Sequence, residues 1–439
     1  MRNFVLASLG LLLGCTLGCV DPPLMEIRGD PSGTALEMFQ QTENTSATIL
    51  WVIDDSGSMC EEQFNVRSNL QSFISAFRAA APSASFHMGV TTTDTSSTAV
   101  AGRLENTPVN ITATALCPTP PPPLDCTTGL PNPLPKWVDE NSGGGDPAVL
   151  ERMFACLSQR GITGFGGETA LGGARMAMSP ALLNDPMANQ GFFLPGSLLV
   201  IVFLGDEDDC SVCSGTTCSP LPGLQFNLDC SINRVNELTP ISDFVSFVNN
   251  IPTGDGSIVA MNGILVAAII GLDPMGNSMG PIVADPGGAD GLVPICSVAG
   301  QGSAAPAPRI EGFTRSFNDY LEFNICDNDF GPALGEIGNR IGALLNSGCM
   351  QHRPCPGTTA NEVVVRITAA GVTTALVPGV DYDIACAGAA TGTAACPGSA
   401  DATCAEGWRI DFTNPDAIPS GASVEVLYGF DAGDGCTAE

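Results

Sequence analysis

The segment Ser197 to Gly205 reads Ser-Leu-Leu-Val-Ile-Val-Phe-Leu-Gly, an unbroken apolar run from Leu198 to Leu204. A strand sends alternate side chains to opposite faces, so a run that is apolar at every position needs cover on both. That is the situation of a central strand in a parallel sheet flanked by helices. Ala47 to Ile53 (ATILWVI), Phe86 to Thr92 (FHMGVTT) and Ile258 to Ile270 (IVAMNGILVAAII, interrupted by Asn262) have the same character. None of these runs is long enough to cross a bilayer as a helix. Between them, Glu61 to Ala80 places Leu70, Phe73, Ile74 and Phe77 at helical spacing, and Pro147 to Gly161 does so with Leu150, Met153, Phe154 and Leu157. The segments Arg309 to Phe317, Tyr320 to Ile325 and Pro332 to Leu345 close the pattern. Strands alternating with helices predict an α/β fold, a doubly wound, mostly parallel sheet covered on both faces. Past Cys349 the texture changes. Val363-Val365-Ile367, Trp408-Ile410-Phe412 and Val424-Val426-Tyr428 alternate with period two, which predicts a small antiparallel β-sandwich over 355–439, stapled by some of Cys355, Cys386, Cys396, Cys404 and Cys436.

The N-terminus predicts export. Met1 and Arg2 precede a short apolar run, Phe4 to Leu13, that suits a secretory signal and ends in Leu12-Leu13-Gly14-Cys15. This ending resembles the lipobox of bacterial lipoproteins, whose cysteine is diacylated and becomes the mature N-terminus. The resemblance implies a signal peptide over 1–14, a lipid on Cys15, and a polar tether over 15–46. Cys19 is a rival. Leu12 favours Cys15, whereas parity favours Cys19, because that choice leaves 16 of the 18 cysteines downstream. The implied location is the bacterial cell envelope, at the outer membrane or cell surface. Outside the cytoplasm cysteines oxidise, so Cys210, Cys213, Cys218 and Cys230 are expected in disulfides and not around a structural zinc.

Composition narrows the chemistry. Lys+Arg number 16 against 46 Asp+Glu, a net charge of −30, which argues against nucleic acid as a partner. Lys136 is the one lysine, which removes a P-loop and most Schiff-base chemistry. His87 and His352 stand far apart and in no metal-ligand spacing.

One constellation remains. Asp54-Asp55-Ser56-Gly57-Ser58 directly follows a buried strand and precedes an amphipathic helix, which places short oxygen side chains at the carboxyl end of the sheet. A carboxylate and two hydroxyls suit a hard cation such as Mg²⁺. Thr169, ahead of a helix, and Asp206, at the end of the Leu198 to Leu204 strand, are positioned to complete the set. The bland reading is a turn in which Ser58 caps the helix.

This pattern resembles the von Willebrand factor type A domain and its metal-ion-dependent adhesion site. The family has Asp-x-Ser-x-Ser after the first strand, a threonine in a middle loop and an aspartate after the fourth strand, matched here by Asp54, Ser56, Ser58, Thr169 and Asp206. The resemblance covers about residues 45–348, within a domain spanning 47–350, and places the excess length in Pro-, Cys- and Gly-rich insertions. It implies that Ser56, Ser58 and Thr169 bind the metal through hydroxyls. Asp54 and Asp206 would bind directly or through water, and a partner's carboxylate would take the open position. Glu168 competes with Thr169 for its role. The surplus carboxylates Glu207, Asp208 and Asp209 would draw in Ca²⁺ or form a solvated acidic turn; Mn²⁺ is a further candidate.

Three functions fit these residues. The first is a lipid-anchored adhesion or assembly protein, not an enzyme, that captures an acidic side chain of a protein partner through a divalent cation. The second is a metal-dependent hydrolase, which would need Asp55, Glu168 or Asp208 as a base with a raised pKa. The third is a metal-free scaffold.

Overall fold

The structure, a computed structural model, describes residues 34–40 and 46–349 apart from 83, 116, 224–227, 254–256, 260, 279–281, 286–290, 299–301 and 346–347, together with 363–369, 372–386, 408–412 and 423–429. Cys15, Cys19, Cys355, Cys396, Cys404 and Cys436 lie outside the described residues, as does the side chain of Cys386.

Six strands form the main sheet: β1 (Ser46–Ile53), β2 (Ser85–Thr92), β3 (Trp137–Asp139), β4 (Ser197–Leu204), β5 (Met261–Ile270) and β6 (Asp319–Asn324). Their order is β6-β5-β4-β1-β2-β3. All neighbours are parallel except the edge strand β3, which runs antiparallel to β2. The expected α/β class with a parallel-rich sheet is what the chain adopts. Both β1 and β4 lie at the centre, and all eight residues of β4 are buried, as its sequence requires.

The cover comes from six helices, α1 (Cys60–Ala80), α2 (Pro147–Ser158), α3 (Ala170–Ala177), α4 (Ile241–Asn249), α5 (Pro308–Thr314) and α6 (Gly331–Leu345). Alternation along β1 divides its side chains between two cores. Ile49, Trp51 and Ile53 pack with Phe73 and Phe77 of α1, Phe154 of α2, and Leu334 and Ile337 of α6. Leu50 and Val52 pack with Leu171 of α3, Phe244 of α4 and Phe313 of α5. Trp51 is fully buried and meets Phe73 and Phe154 edge-on at 5.6 and 5.7 Å, the favourable arrangement of ring quadrupoles. Glu61 sits in the first turn of α1 and Arg78 in its last, complementing the helix dipole. Asp146 caps α2 by accepting from the Ala148 amide, with Pro147 opening the first turn. Close approach of α1 and α6 depends on a missing side chain, because a Cβ at Gly342 would stand 2.1 Å from that of Ala80.

Among the described residues, five disulfides staple the insertions: Cys60–Cys117, Cys126–Cys156, Cys210–Cys230, Cys213–Cys218 and Cys296–Cys326. The Cys210 to Cys230 cluster is thus paired in disulfides, as expected of it. The proline-rich segment around Pro120 to Pro123 forms no helix or strand and is pinned by the two bridges that flank it and by Arg67 Nη2 donating to the Pro122 carbonyl at 2.9 Å.

The C-terminal strands build two antiparallel sheets. One orders Thr34–Gln40, Ser423–Gly429, Val364–Ala369 and Val372–Ala375; the other orders Gly348–Cys349, Trp408–Asp411 and Asp383–Cys386. The two share a core that includes Val365, Ile367, Tyr382, Ile410, Phe412, Val424 and Val426. One element departs from expectation. Residues 34–40, read from composition as tether, form a strand paired along its whole length with 423–429. Backbone pairing with a partner almost four hundred residues away is a non-local choice that local composition does not express. Among the described residues, no helix is long and apolar enough to cross a membrane.

Candidate functional site

The strand order reverses beside β1, since β2 lies on one side of it and β4 on the other. At such a switch point the connections leave in opposite directions and open a crevice at the carboxyl ends of the strands. Asp54 and Asp206 occupy that position. The Asp54 amide donates to the Leu204 carbonyl at 2.9 Å, extending the β1–β4 ladder by one bond. Its side chain then turns the backbone, because Oδ1 accepts from the Ser56 amide at 2.7 Å, an Asx-type turn. Gly205 permits the approach, since a Cβ there would stand 3.3 Å from Asp54 Oδ2.

The turn brings the hydroxyls into line. Ser56 Oγ and Ser58 Oγ are 3.0 Å apart, and Ser58 Oγ donates to Asp206 Oδ1 at 3.1 Å. Ser58 therefore does not cap α1; Met59 occupies the cap position and makes no side-chain bond there. Gln63 fixes the loop from behind, with Nε2 donating to the Asp54 and Gly161 carbonyls at 2.8 and 2.7 Å and Oε1 accepting from the Arg160 amide at 3.1 Å.

Thr169 is fully buried at the entrance to α3. Its hydroxyl donates to the Thr93 carbonyl and lies 2.8 Å from the Thr95 hydroxyl. The structure thus joins Asp54, Ser56, Ser58 and Asp206 in one chain of hydrogen bonds and sets Thr169 beside the loop after β2, without a direct bond to the other four. Glu168, the competing residue, is 1% exposed.

The electrostatics of the site are one-sided. Burial raises the Asp54 carboxyl to about 6, against the opposing pull of the Ser56 amide and hydroxyl. Burial also lifts Asp206 well above the usual carboxylate range, reinforced by the negative charges of Asp54, Glu207 and Glu62. Glu168 is likewise raised by burial, with Glu207 offsetting part of the effect and Asp54 and Asp206 adding to it. Asp55, named from the sequence as a candidate base, and Glu62, which the sequence does not single out, are each pushed to about 8, chiefly by burial, with the Arg160 charge opposing the rise at Asp55. Asp54 Oδ2 has no hydrogen-bond partner. Among the described residues, no group of three or more His, Cys, Asp or Glu side chains is arranged to hold a metal by itself, so any cation here would depend on the serine and threonine hydroxyls.

The acidic run after β4 is not a solvated turn. Asp206, Glu207, Asp208 and Asp209 are all buried. Asp208 Oδ1 accepts from the amides of Arg309 and Ile310 at the start of α5, at 3.0 and 3.2 Å. Asp209 Oδ2 pairs with Arg309 Nη2 at 3.0 Å, and its Oδ1 accepts from the Leu171 amide at 2.9 Å. The Cys210 amide donates to the Glu168 carbonyl at 2.7 Å. These two carboxylates thus bind the Asp206 loop to the Thr169 loop and to α5, a role that only the folded contacts reveal. His87 is a packing residue as its strand setting suggests, with Nδ1 2.8 Å from the Phe192 carbonyl and its ring against Trp137.

No protein-family model matches the chain, and no curated protein matches it in sequence. Among solved structures it is similar to the pilus adhesin SpaC from Lactobacillus rhamnosus GG, at a TM-score of 0.32 and 11% identity over 91% of this chain and 42% of that one. It is similar also to proximal thread matrix protein 1 from the mussel byssus, at 0.31 and 12% over 73% and 52%. The adhesive tip pilin GBS104 from Streptococcus agalactiae gives 0.25 and 10% over 92% and 83%. The chain spans less than half the length of the SpaC adhesin it matches. Scores this low establish neither a shared fold nor a shared activity.

Proposed function

We propose that Asp54, Ser56, Ser58, Thr169 and Asp206 hold a divalent cation, Mg²⁺ by preference, in a von Willebrand factor A-like domain, and that the protein adheres or assembles by taking an acidic side chain of a protein partner onto that ion. The observation that carries this reading is the buried pair Asp54 and Asp206, joined through Ser56 and Ser58, with only negative charges acting on Asp206. Buried carboxylates are retained when a counter-charge is available, and a hard cation with oxygen ligands supplies one. The unpartnered Asp54 Oδ2 and the adjacent hydroxyls fit such an ion. The cation would supply the attraction for the partner's carboxylate, while the chain's own groups position it. Asp54 is oriented by the Ser56 amide, and Asp206 by Ser58. For the hydrolase reading, burial raises all three candidate bases, Asp55 to about 8, Asp208 to about 7 and Glu168 well above the usual carboxylate range, but Asp208 is engaged by the amides of α5.

Isothermal titration of the chelator-treated protein with Mg²⁺ tests the site. One-to-one binding is expected, lost in Asp54→Ala and weakened at least about tenfold in Ser56→Ala, with folding retained by circular dichroism. Heat signals identical in wild type and Asp54→Ala would refute it. Partner capture from envelope extract should likewise require both the cation and Ser56. The proposal includes lipid attachment at Cys15. Intact mass of the membrane-extracted protein should show a diacylglycerol thioether on a chain beginning at Cys15, and a chain beginning elsewhere without lipid would remove the anchor.

A further inference from the structure

The loop after β2, the residue before β3 and the loop before β4 enclose a cavity of about 620 Å³, open to solvent, whose lining includes Arg103, Leu104, Glu105, Lys136, Pro186 and Met187. In a chain with 16 cationic and 46 acidic side chains, its single lysine stands in the same cavity as an arginine. Burial holds Lys136 below its ordinary pKa, Asp185 opposes this, and the Arg103 charge adds to it, so the two cations are near enough to repel. The acidic neighbours are already engaged. Asp185 pairs with Arg103 at 3.4 Å, and Glu105, which lines the cavity, pairs with the buried Arg160 behind it at 2.9 Å, which leaves Lys136 as the lining cation with no ion pair among the described residues. Lys136 Nζ spends one of its three donors on the Ala188 carbonyl, and Arg103 uses Nε on the Thr98 carbonyl and Nη2 on Asp185. Donors therefore remain for an anion. Met187, 79% exposed, adds an adaptable apolar surface beside them.

We propose that this cavity is a second binding site, taking a carboxylate-bearing segment of a protein partner, with Lys136 and Arg103 on the carboxylate and Met187 against the apolar stem. Like charges held together on a surface of opposite sign make a local contrast that selects acidic side chains. The openness and volume suit several residues projecting from a partner surface. The site goes beyond the Asp54 cluster and needs no cation.

Fluorescence anisotropy of a labelled hexaglutamate peptide, titrated with the full protein in chelator at low salt, tests it. Saturable binding is expected, weakening as salt is added. It should fall about tenfold in the Arg103→Gln, Lys136→Met double variant, and persist in Lys136→Arg and in Asp54→Ala. Absence of saturable binding to the wild type, or equal affinity for the double variant, overturns the proposal. Binding lost in Asp54→Ala but kept in the double variant assigns the peptide to the Asp54 cluster and overturns it equally.

Discussion

The metal-free protein is expected to melt at progressively lower temperature as the pH is raised from about 4 to about 8, with saturating Mg²⁺ restoring most of the loss at the upper end. In the unfolded chain Asp54, Asp55 and Glu62 ionise near their ordinary values of 3.8, 3.8 and 4.5, whereas burial raises them to about 6, 8 and 8 in the folded protein. Between those limits the folded state binds more protons than the unfolded one, so stability falls as the pH rises. The fully buried Asp54 alone accounts for on the order of 3 kcal/mol. The neighbouring carboxyls titrate together, so their contributions are not summed. A cation competes with protons for the same oxygens, and its stabilisation should therefore vanish at the acid end and be greatest at the alkaline end. Scanning calorimetry at a series of pH values, in chelator and in Mg²⁺, checks both halves. A metal-free melting temperature that climbs through this range would contradict the burial of these groups, and a flat response to Mg²⁺ and other divalent ions would support the scaffold reading.

Replacing Arg309 with alanine is expected to cost about 3–5 kcal/mol, because it leaves the Asp209 carboxylate buried and uncompensated. Arg309 is 8% exposed and Asp209 0%, so water does not screen the loss. The same guanidinium also donates to the Thr239 carbonyl at 2.7 Å. Urea titration reads the stability change. Because Asp209 joins the Asp206 loop to the Leu171 amide, Mg²⁺ affinity should fall along with it. In the Arg309→Met, Asp209→Leu pair, apolar replacement of both partners should recover stability but not affinity. Full recovery of both in that pair would show that the clamp does not position the site.

Much of the architecture is legible in local pattern. The apolar run at Leu198 to Leu204 demands two-sided cover and receives it from both cores, and the stripe Leu70, Phe73, Ile74, Phe77 is buried on α1. Trp137–Asp139 escapes such reading because three edge residues carry no periodicity, and Thr34–Gln40 because its short run follows a Pro- and Gly-containing stretch and its pairing partner is nearly four hundred residues away. In the site, Asp54, Ser56 and Ser58 are legible as a motif since their order follows from one turn. Asp55 is legible only as a neighbour in that motif and a candidate base, and Glu62 carries no signal. Their carboxyls are unusual only because folding buries them.

Sequence alone determined the parallel-rich α/β class and the oxygen-rich turn after β1. Those follow from hydrophobic period, residue type and immediate neighbours, all of which are local. Tertiary structure alone decided that Ser58 reaches Asp206 instead of capping its own helix, that Asp208 and Asp209 are buried clamps, and that Lys136 and Arg103 share a cavity. Each of these is a meeting of groups far apart in the chain. What a carboxylate or an ammonium does there depends on the burial and charge around it, which no local pattern contains.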